Sequence, residues 1–417
     1  MAKFQWAGGN YGFYGYGQFG SYTMSDLAPS GVTLTFDDAH GSLDAEVLAA
    51  SIHFVFTGVV SYTVENGPNA GAVRITGGAL AEVHYLDAAG DEMLAVTGLA
   101  VALPGFLATL ARGDAFSAWG MITHGVNQIR GSNDASGAGH AGTGDVLDTG
   151  ALADAVLAGG GDDFIKDQGG ADSYNGGTGF DTLAYDGWFF QPQWVQRGLD
   201  VDLNLGTITG PDGKVDKVLG IEAVIGTFKV DQFKGSGLGD KFTGLAGADK
   251  IDARGGFDFA SYAGDAGQGG TDGIKVNLTA GTVRDGFGTV DRLVSVEGVE
   301  GTAVRDSFVD SASNNYFDGG AGNDSFSFST GNDTGHGGAG ADTFIFRGTA
   351  FDDDTIDDFS SADGDHIRFD AATSFGQLHL TNIKLGGLDA VNVQFASGSV
   401  TIVGVTAAQL HAVDFGF

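Results

Sequence analysis

Apolar and polar residues alternate with a period of two in the first third of the chain. Val32-Thr33-Leu34-Thr35-Phe36, Ile52-His53-Phe54-Val55-Phe56 and Val73-Arg74-Ile75 each read this way, bounded by Gly or Asn. Such alternation predicts half-buried antiparallel strands. The stretch from Leu103 to Met121 reads as helical. Alternation returns near the end, in Leu378-His379-Leu380, Val391-Asn392-Val393 and Val400-Thr401-Ile402-Val403. Between these regions a single inward-type residue recurs every nine positions: Leu147, Val156, Ile165, Tyr174, Leu183; then Phe233, Phe242, Ile251, Ala260; then Phe308, Phe317, Phe326, Gly335, Phe344. Each predicts a three-residue strand turning one side chain into a core. Asn127/Ile129 and Ser136/Ala138 keep the same phase and read as degenerate opening rungs.

Two residues before each of these stands a carboxylate or its amide. The series is Asp145, Asp154, Asp163, Asp172, Asp181; Asp231, Asp240, Asp249, Asp258; and Asp306, Asn315, Asp324, Asp333, Asp342. Glycines precede it, as in Gly176-Gly177-Thr178-Gly179-Phe180-Asp181, Gly319-Gly320-Ala321-Gly322-Asn323-Asp324 and Gly337-Gly338-Ala339-Gly340-Ala341-Asp342. Glycine allows a turn with positive φ and close approach of a backbone carbonyl. A second, longer repeat spans the short one. Val201-Asp202-Leu203, Gly206-Thr207, Val215-Asp216, Glu222 and Asp231 recur 75 residues on as Val276-Asn277-Leu278, Gly281-Thr282, Val290-Asp291, Glu297 and Asp306.

The expected organisation is a mainly β chain in three parts: a β-rich domain over 1–121, a parallel roll of nonapeptides over 122–370, and a β cap over 371–417. Within the roll, blocks 122–184, 226–261 and 301–345 alternate with spacers 185–225 and 262–300. Two nonapeptides make one coil, so turns on the same side stack 18 residues apart. Leu238 and Val304 stand where a glycine belongs, which predicts half-sites there; Ser136, Asn315 and Gly335 predict weakened rungs.

Composition narrows the chemistry. The chain carries 53 acidic residues against 20 basic ones, for a net charge of −33, and 46 of the acids are Asp. Such a surface repels nucleic-acid phosphate. Asp beside Gly favours turns and hard oxygen-donor sites. There is no Cys, hence no disulfide, thiolate metal site or catalytic thiol. No long apolar stretch reads as a membrane span.

The nonapeptide G-G-x-G-x-D-x-U-x is a known Ca²⁺-binding repeat, and over residues 122–370 the chain resembles the RTX family of calcium-binding β-roll proteins. Asp354-Thr355-Ile356-Asp357-Asp358-Phe359 and Asp363-Gly364-Asp365-His366-Ile367-Arg368-Phe369 resemble the closing segment of such rolls, including those of serralysin-type proteases. The tail from Val400 to Phe417 is similar to the uncleaved signal of type I secretion substrates. The resemblance implies several Ca²⁺ ions, on the order of eight, held by the Asp and Asn positions above. Gly160, Gly161, Gly177, Gly179, Gly320, Gly322, Gly338 and Gly340 would contribute carbonyls. It implies the type I secretion apparatus as a partner and an extracellular or cell-surface location.

Catalytic signatures are missing from the sequence. There is no H-E-x-x-H, G-x-S-x-G or P-loop. The resemblance therefore does not carry protease activity, and the expectation is a non-enzymatic Ca²⁺-binding protein. Two other readings stay open: an adhesin, matrix or surface-layer protein that uses the roll as a spacer and binds a cell-surface or matrix component, and an enzyme with an unrecognised site in the N-terminal domain.

Overall fold

The computed structural model describes residues 22–24, 31–36, 51–63, 73–86, 92–97, 101–102, 128–130, 146–149, 151–186 and 197–417. The helical reading of Leu103–Met121, the Asp145 position, and the rung at Ser136 lie outside these residues. The chain forms two compact units, residues 1–187 with 212–221, and residues 188–211 with 222–417.

In the first unit, Gly31–Phe36, Ser51–Thr63 and Val73–Leu86 pair antiparallel, as their period-two alternation predicts. Glu92–Thr97 then pairs antiparallel with Gln128–Arg130, which in turn pairs parallel with Ala155–Gly160. From here the ladder is parallel and two-sided. Val146–Asp148, Phe164–Lys166 and Thr182–Ala184 stack on one side, with residues 146, 164 and 182 in register. Ala155–Gly160, Ser173–Thr178 and Val215–Leu219 stack on the other. The 18-residue coil is therefore the observed repeat. The opening phase differs from expectation: Ile129 sits beside Val156, 27 residues on, not beside Leu147.

The second unit repeats the plan. Gln232–Lys234 pairs with Lys250–Asp252 on one side, and Ala223–Ile225, Lys241–Thr243 and Phe259–Ser261 pair on the other. The following block runs Lys275–Asn277, Ser307–Val309, Ser325–Phe328, Thr343–Phe346 and His366–Phe369, faced by Gly298–Glu300, Tyr316–Asp318, Thr334–His336 and Asp353–Ile356. The 75-residue repeat appears as matching antiparallel hairpins, Asp200–Asp202 with Thr207–Thr209 and Lys275–Asn277 with Thr282–Arg284. The chain closes with the antiparallel strands His379–Leu385, Leu388–Phe395 and Gly398–Val403. This is a parallel β-roll, and among the described residues its regular elements are strands apart from short 3₁₀ turns.

The core is the column of inward residues. Phe233, Phe242, Phe308, Phe317, Phe326 and Phe344 are buried. Phe308, Phe326 and Phe344 stack with ring centroids 4.9 Å apart at each step. That spacing equals the separation of neighbouring strands, about 4.7–4.9 Å, so on this side of the roll each ring stacks on that of the next coil, with Phe317 and Phe328 packed beside them. Gly335 does not leave a hole in its rung. A methyl group added there would meet Phe328 and Phe344 at 3.0 Å, because their rings already occupy the space.

Candidate metal centre

Every described Asp of the nine-residue series is buried, with exposure of 0–4%. An ionised carboxylate in such a place needs hydrogen-bond donors or a cation. The structure supplies part of this through the backbone. Along the ladder a carboxylate repeatedly accepts, at Oδ1, the N–H of the residue one coil earlier. In the first unit Asp154 donates to Asp172 at 2.6 Å, Asp163 to Asp181 at 2.9 Å, and Asp172 to Asp216 at 2.8 Å. In the second unit the chain of bonds runs from Asp231 to Asp249 and from Asp249 to Asp291. Parallel chains run Asp240 to Asp258, Asp306 to Asp324 to Asp342 to Asp365, and Asn315 to Asp333 to Asp354.

Asp216, Asp291, Asp354 and Asp365 thus continue the ladder, and Glu297 takes the same place above Asp258 at 3.2 Å. The nine-residue spacing does not reveal them. Inserted spacers change the sequence interval from 18 to between 21 and 44 residues while leaving the next coil in the same place in space. Their recurrence in the 75-residue repeat is the signal that could have found three of them, Asp216, Asp291 and Glu297.

The second carboxylate oxygen divides the turns into two kinds. At Asp231, Asp240 and Asp306 it accepts an N–H from its own turn, from Thr227 at 2.7 Å, Ser236 at 2.5 Å and Thr302 at 2.6 Å. The hydroxyls of these residues bond the same carboxylates. Asn315 is served likewise by Ser311. At Asp249, Asp258, Asp324, Asp333, Asp342 and Asp354, Oδ2 is buried and has no hydrogen-bond partner. In four of these turns the residue four before the Asp has a positive φ: Leu245, Arg254, Gly320 and Gly338. Where bonds are seen, its N–H is spent elsewhere, that of Gly320 on Asp318 and that of Gly338 on Asp358.

The glycines bring carbonyls to the same turns. A Cβ on Gly338 would stand 2.0 Å from the Gly320 carbonyl oxygen, and one on Gly340 only 1.4 Å from that of Gly322. Gly177 and Gly179 meet the carbonyls of Gly159 and Gly161 in the same way, at 2.0 and 1.9 Å. At these turns carbonyl oxygens of one coil therefore lie against the glycines of the next. The left-handed positions of the earlier turn are Gly159 and Gly161, so Gly160, three residues before Asp163, is not one of them.

Burial is the leading cause that raises the carboxyl pKa values along the ladder. It pushes Asp249 up to about 9, Asp324 and Asp354 to about 8, Asp333 to about 7, and Asp258 and Asp342 to about 6. Neighbouring carboxylates add to the effect at each. A buried oxygen with no donor, next to backbone carbonyls and further carboxylates, is a set of hard donors that fits Ca²⁺.

A further acidic group lies where the first roll block meets its spacer. Asp167, Asp172 and Asp216 are all buried, with one oxygen of each within 4.8 Å of the others. The Tyr174 hydroxyl lies 2.6 Å from Asp167 Oδ2 and 3.0 Å from Asp172 Oδ2, and its single proton cannot serve both. Tyr185 donates to Asp216 at 2.8 Å. Tyr262 and Asp291 repeat that contact in the second unit at 2.9 Å.

No protein-family model matches the sequence, and no curated protein matches it. Among solved structures the chain is similar to the extracellular lipase LipA from Serratia marcescens, with 16% identity and a TM-score of 0.19 over 47% of this chain. The matched part spans 40% of that lipase's length.

Proposed function

We propose that the chain is an RTX-type Ca²⁺-binding protein whose roll folds on binding the ion after export. The observation that carries this is the set of buried Asp oxygens without a partner, most of them at turns whose glycines lie against backbone carbonyls of the preceding coil, such as those of Lys229, Leu238, Thr302, Ser313, Gly320 and Gly322. Asp249, Asp258, Asp324, Asp333, Asp342 and Asp354 would hold the ions, with carbonyls such as those of Gly320 and Gly322. Asp231, Asp240, Asp306 and Asn315 satisfy themselves within their own turns and contribute less. Bound Ca²⁺ supplies the positive charge that these carboxylates otherwise lack.

The functional consequence is a switch. Without the ion, burying the ladder costs desolvation and like-charge repulsion, and the Gly-rich turns lose much chain entropy. The unfolded chain is then the form that a type I secretion channel exports. Calcium outside the cell binds only the folded roll and draws the equilibrium to it. Far-UV circular dichroism in EGTA and in Ca²⁺ tests this. The expected result is a strand signal gained with Ca²⁺, and a signal indifferent to chelation overturns the proposal.

A further inference from the structure

On the outer face of the second unit, the residue that follows each inward side chain forms a column across successive coils. Glu300 pairs with Asp318, and Asp318 with His336. The pairing of Gly335 with Ile356 carries the same register on to Asp357. His336 Nδ1 lies 2.8 Å from Asp357 Oδ1 and 3.4 Å from Asp358 Oδ2. The Asp358 carboxylate is held in place by two backbone donors, Gly337 N–H at 2.9 Å and Gly338 N–H at 2.7 Å. All three side chains are part-exposed, so water reaches them.

We propose that His336, Asp357 and Asp358 form a site for a divalent transition metal of the Zn²⁺ class, on the outer face beside the Asp342 turn. Bonds of about 2.0–2.1 Å set neighbouring ligand atoms about 2.8–3.4 Å apart, depending on whether six or four ligands surround the ion. The His336–Asp357 spacing is that of a hydrogen bond, and one ligand atom from each of the three residues lies within 4.8 Å of the others, so a metal that displaces the shared proton could be reached by all three. An imidazole nitrogen suits Zn²⁺, Ni²⁺ or Cu²⁺, whereas Ca²⁺ takes oxygen. The groups that act on His336 electrostatically are Asp318, Asp357 and Asp358, all acidic, so a cation meets no competing positive charge from them. Water completes the shell on the open side.

The test uses the full chain kept in saturating Ca²⁺ and titrated with Zn²⁺ by calorimetry, comparing the natural sequence with His336→Gln and Asp357→Asn. The remaining histidines are common to all three proteins, so the difference isolates this site. The natural chain is expected to bind one more Zn²⁺ than either variant, or to bind it at least about ten-fold more tightly. Equal uptake by the natural chain and His336→Gln overturns the proposal and leaves His336 as the ion-pair partner of Asp357. Circular dichroism in Ca²⁺ verifies that each variant keeps its strands; if His336→Gln loses them, Asp357→Asn decides by the same comparison. This proposal and the Ca²⁺ reading fail separately, since one is judged on a Zn²⁺ difference and the other on the response to a chelator.

Discussion

Replacing Asp324 by Asn separates a cation ligand from a structural cap. Asp324 Oδ1 accepts the Asp306 N–H at 2.7 Å, a contact that the amide oxygen of Asn reproduces. Oδ2 is buried without a partner, and burial chiefly pushes the carboxyl from 3.8 to about 8. At pH 7.5 the unfolded side chain is ionised, so folding without metal must either bury a charge or take up a proton. A shift of this size corresponds to ~6 kcal/mol at about 1.4 kcal/mol per unit. The effective dielectric of a protein site, about 20 even where buried, reduces it to on the order of 2–3 kcal/mol. Asn removes that cost, so the metal-free roll is expected to become more stable. In Ca²⁺ the sign reverses: losing a site that was filled at about 100 times its Kd forfeits about 2.7 kcal/mol. The two measurements are osmolyte-driven folding in EGTA and urea unfolding in Ca²⁺, both followed by circular dichroism. Asp306→Asn is the control, because both of its oxygens are already bonded by Ile274, by Thr302 N–H and by the Thr302 hydroxyl. It is expected to destabilise in both conditions. If Asp324→Asn loses as much stability in EGTA as in Ca²⁺, the reasoning from the unpaired oxygen is wrong.

Proton binding gives an independent check. The folded carboxyls of Asp249, Asp258, Asp324, Asp342 and Asp354 lie at about 9, 6, 8, 6 and 8, above the ordinary 3.8. The metal-free fold therefore binds more protons than the unfolded chain. Its stability from these groups is complete below about pH 4 and is lost as pH rises through 6 to 9. Strand signal in EGTA should grow on acidification from pH 9 to 5 and be nearly flat in Ca²⁺; a decrease on acidification would contradict this. Phe326→Ala removes the ring between Phe308 and Phe344 and should cost about 3–5 kcal/mol in urea unfolding with Ca²⁺. Gly340→Ala, at φ +143° and against the Gly322 carbonyl, should abolish Ca²⁺-dependent folding of its turn. Gly348→Ala, at φ +75° with open space around it, should cost only about 1 kcal/mol in the same assay.

The parts of this fold that were legible in the sequence are those whose sequence interval equals their spatial interval. A coil of two nonapeptides returns to the same side after 18 residues, so the inward Phe column and the Asp series could be read directly. Asp216, Asp291, Glu297, Asp354 and Asp365 occupy the same ladder but were hidden, because a hydrogen bond depends on which coil comes next, whatever the length of the intervening spacer. Gly335 misled for a related reason: its rung is filled by Phe328, an extra inward residue of the coil opposite. The division of the turns into two kinds was available in principle. Ser236 and Thr302, four residues before an Asp, are the residue types that fold their own N–H and hydroxyl onto a nearby acceptor.

On the proposed Ca²⁺ reading one carboxylate does two jobs, which links ion binding to coil stacking. Asp342 accepts the Asp324 N–H through Oδ1 and leaves Oδ2 for a cation; Asp324 does the same for Asp306. An ion that fixes the Asp342 carboxylate also fixes the bond to the coil before it, and so orders the turn at which Asp324 waits for its own ion. In a chain of units that touch only their neighbours, such coupling makes assembly cooperative. Calcium titrations of strand signal should therefore be steeper than a simple hyperbola, and Asp324→Asn should make them shallower by interrupting the middle of the series. A hyperbolic titration of the natural chain, or a variant as steep as the natural chain, would show that the turns fill independently and that the Oδ1 ladder is packing alone.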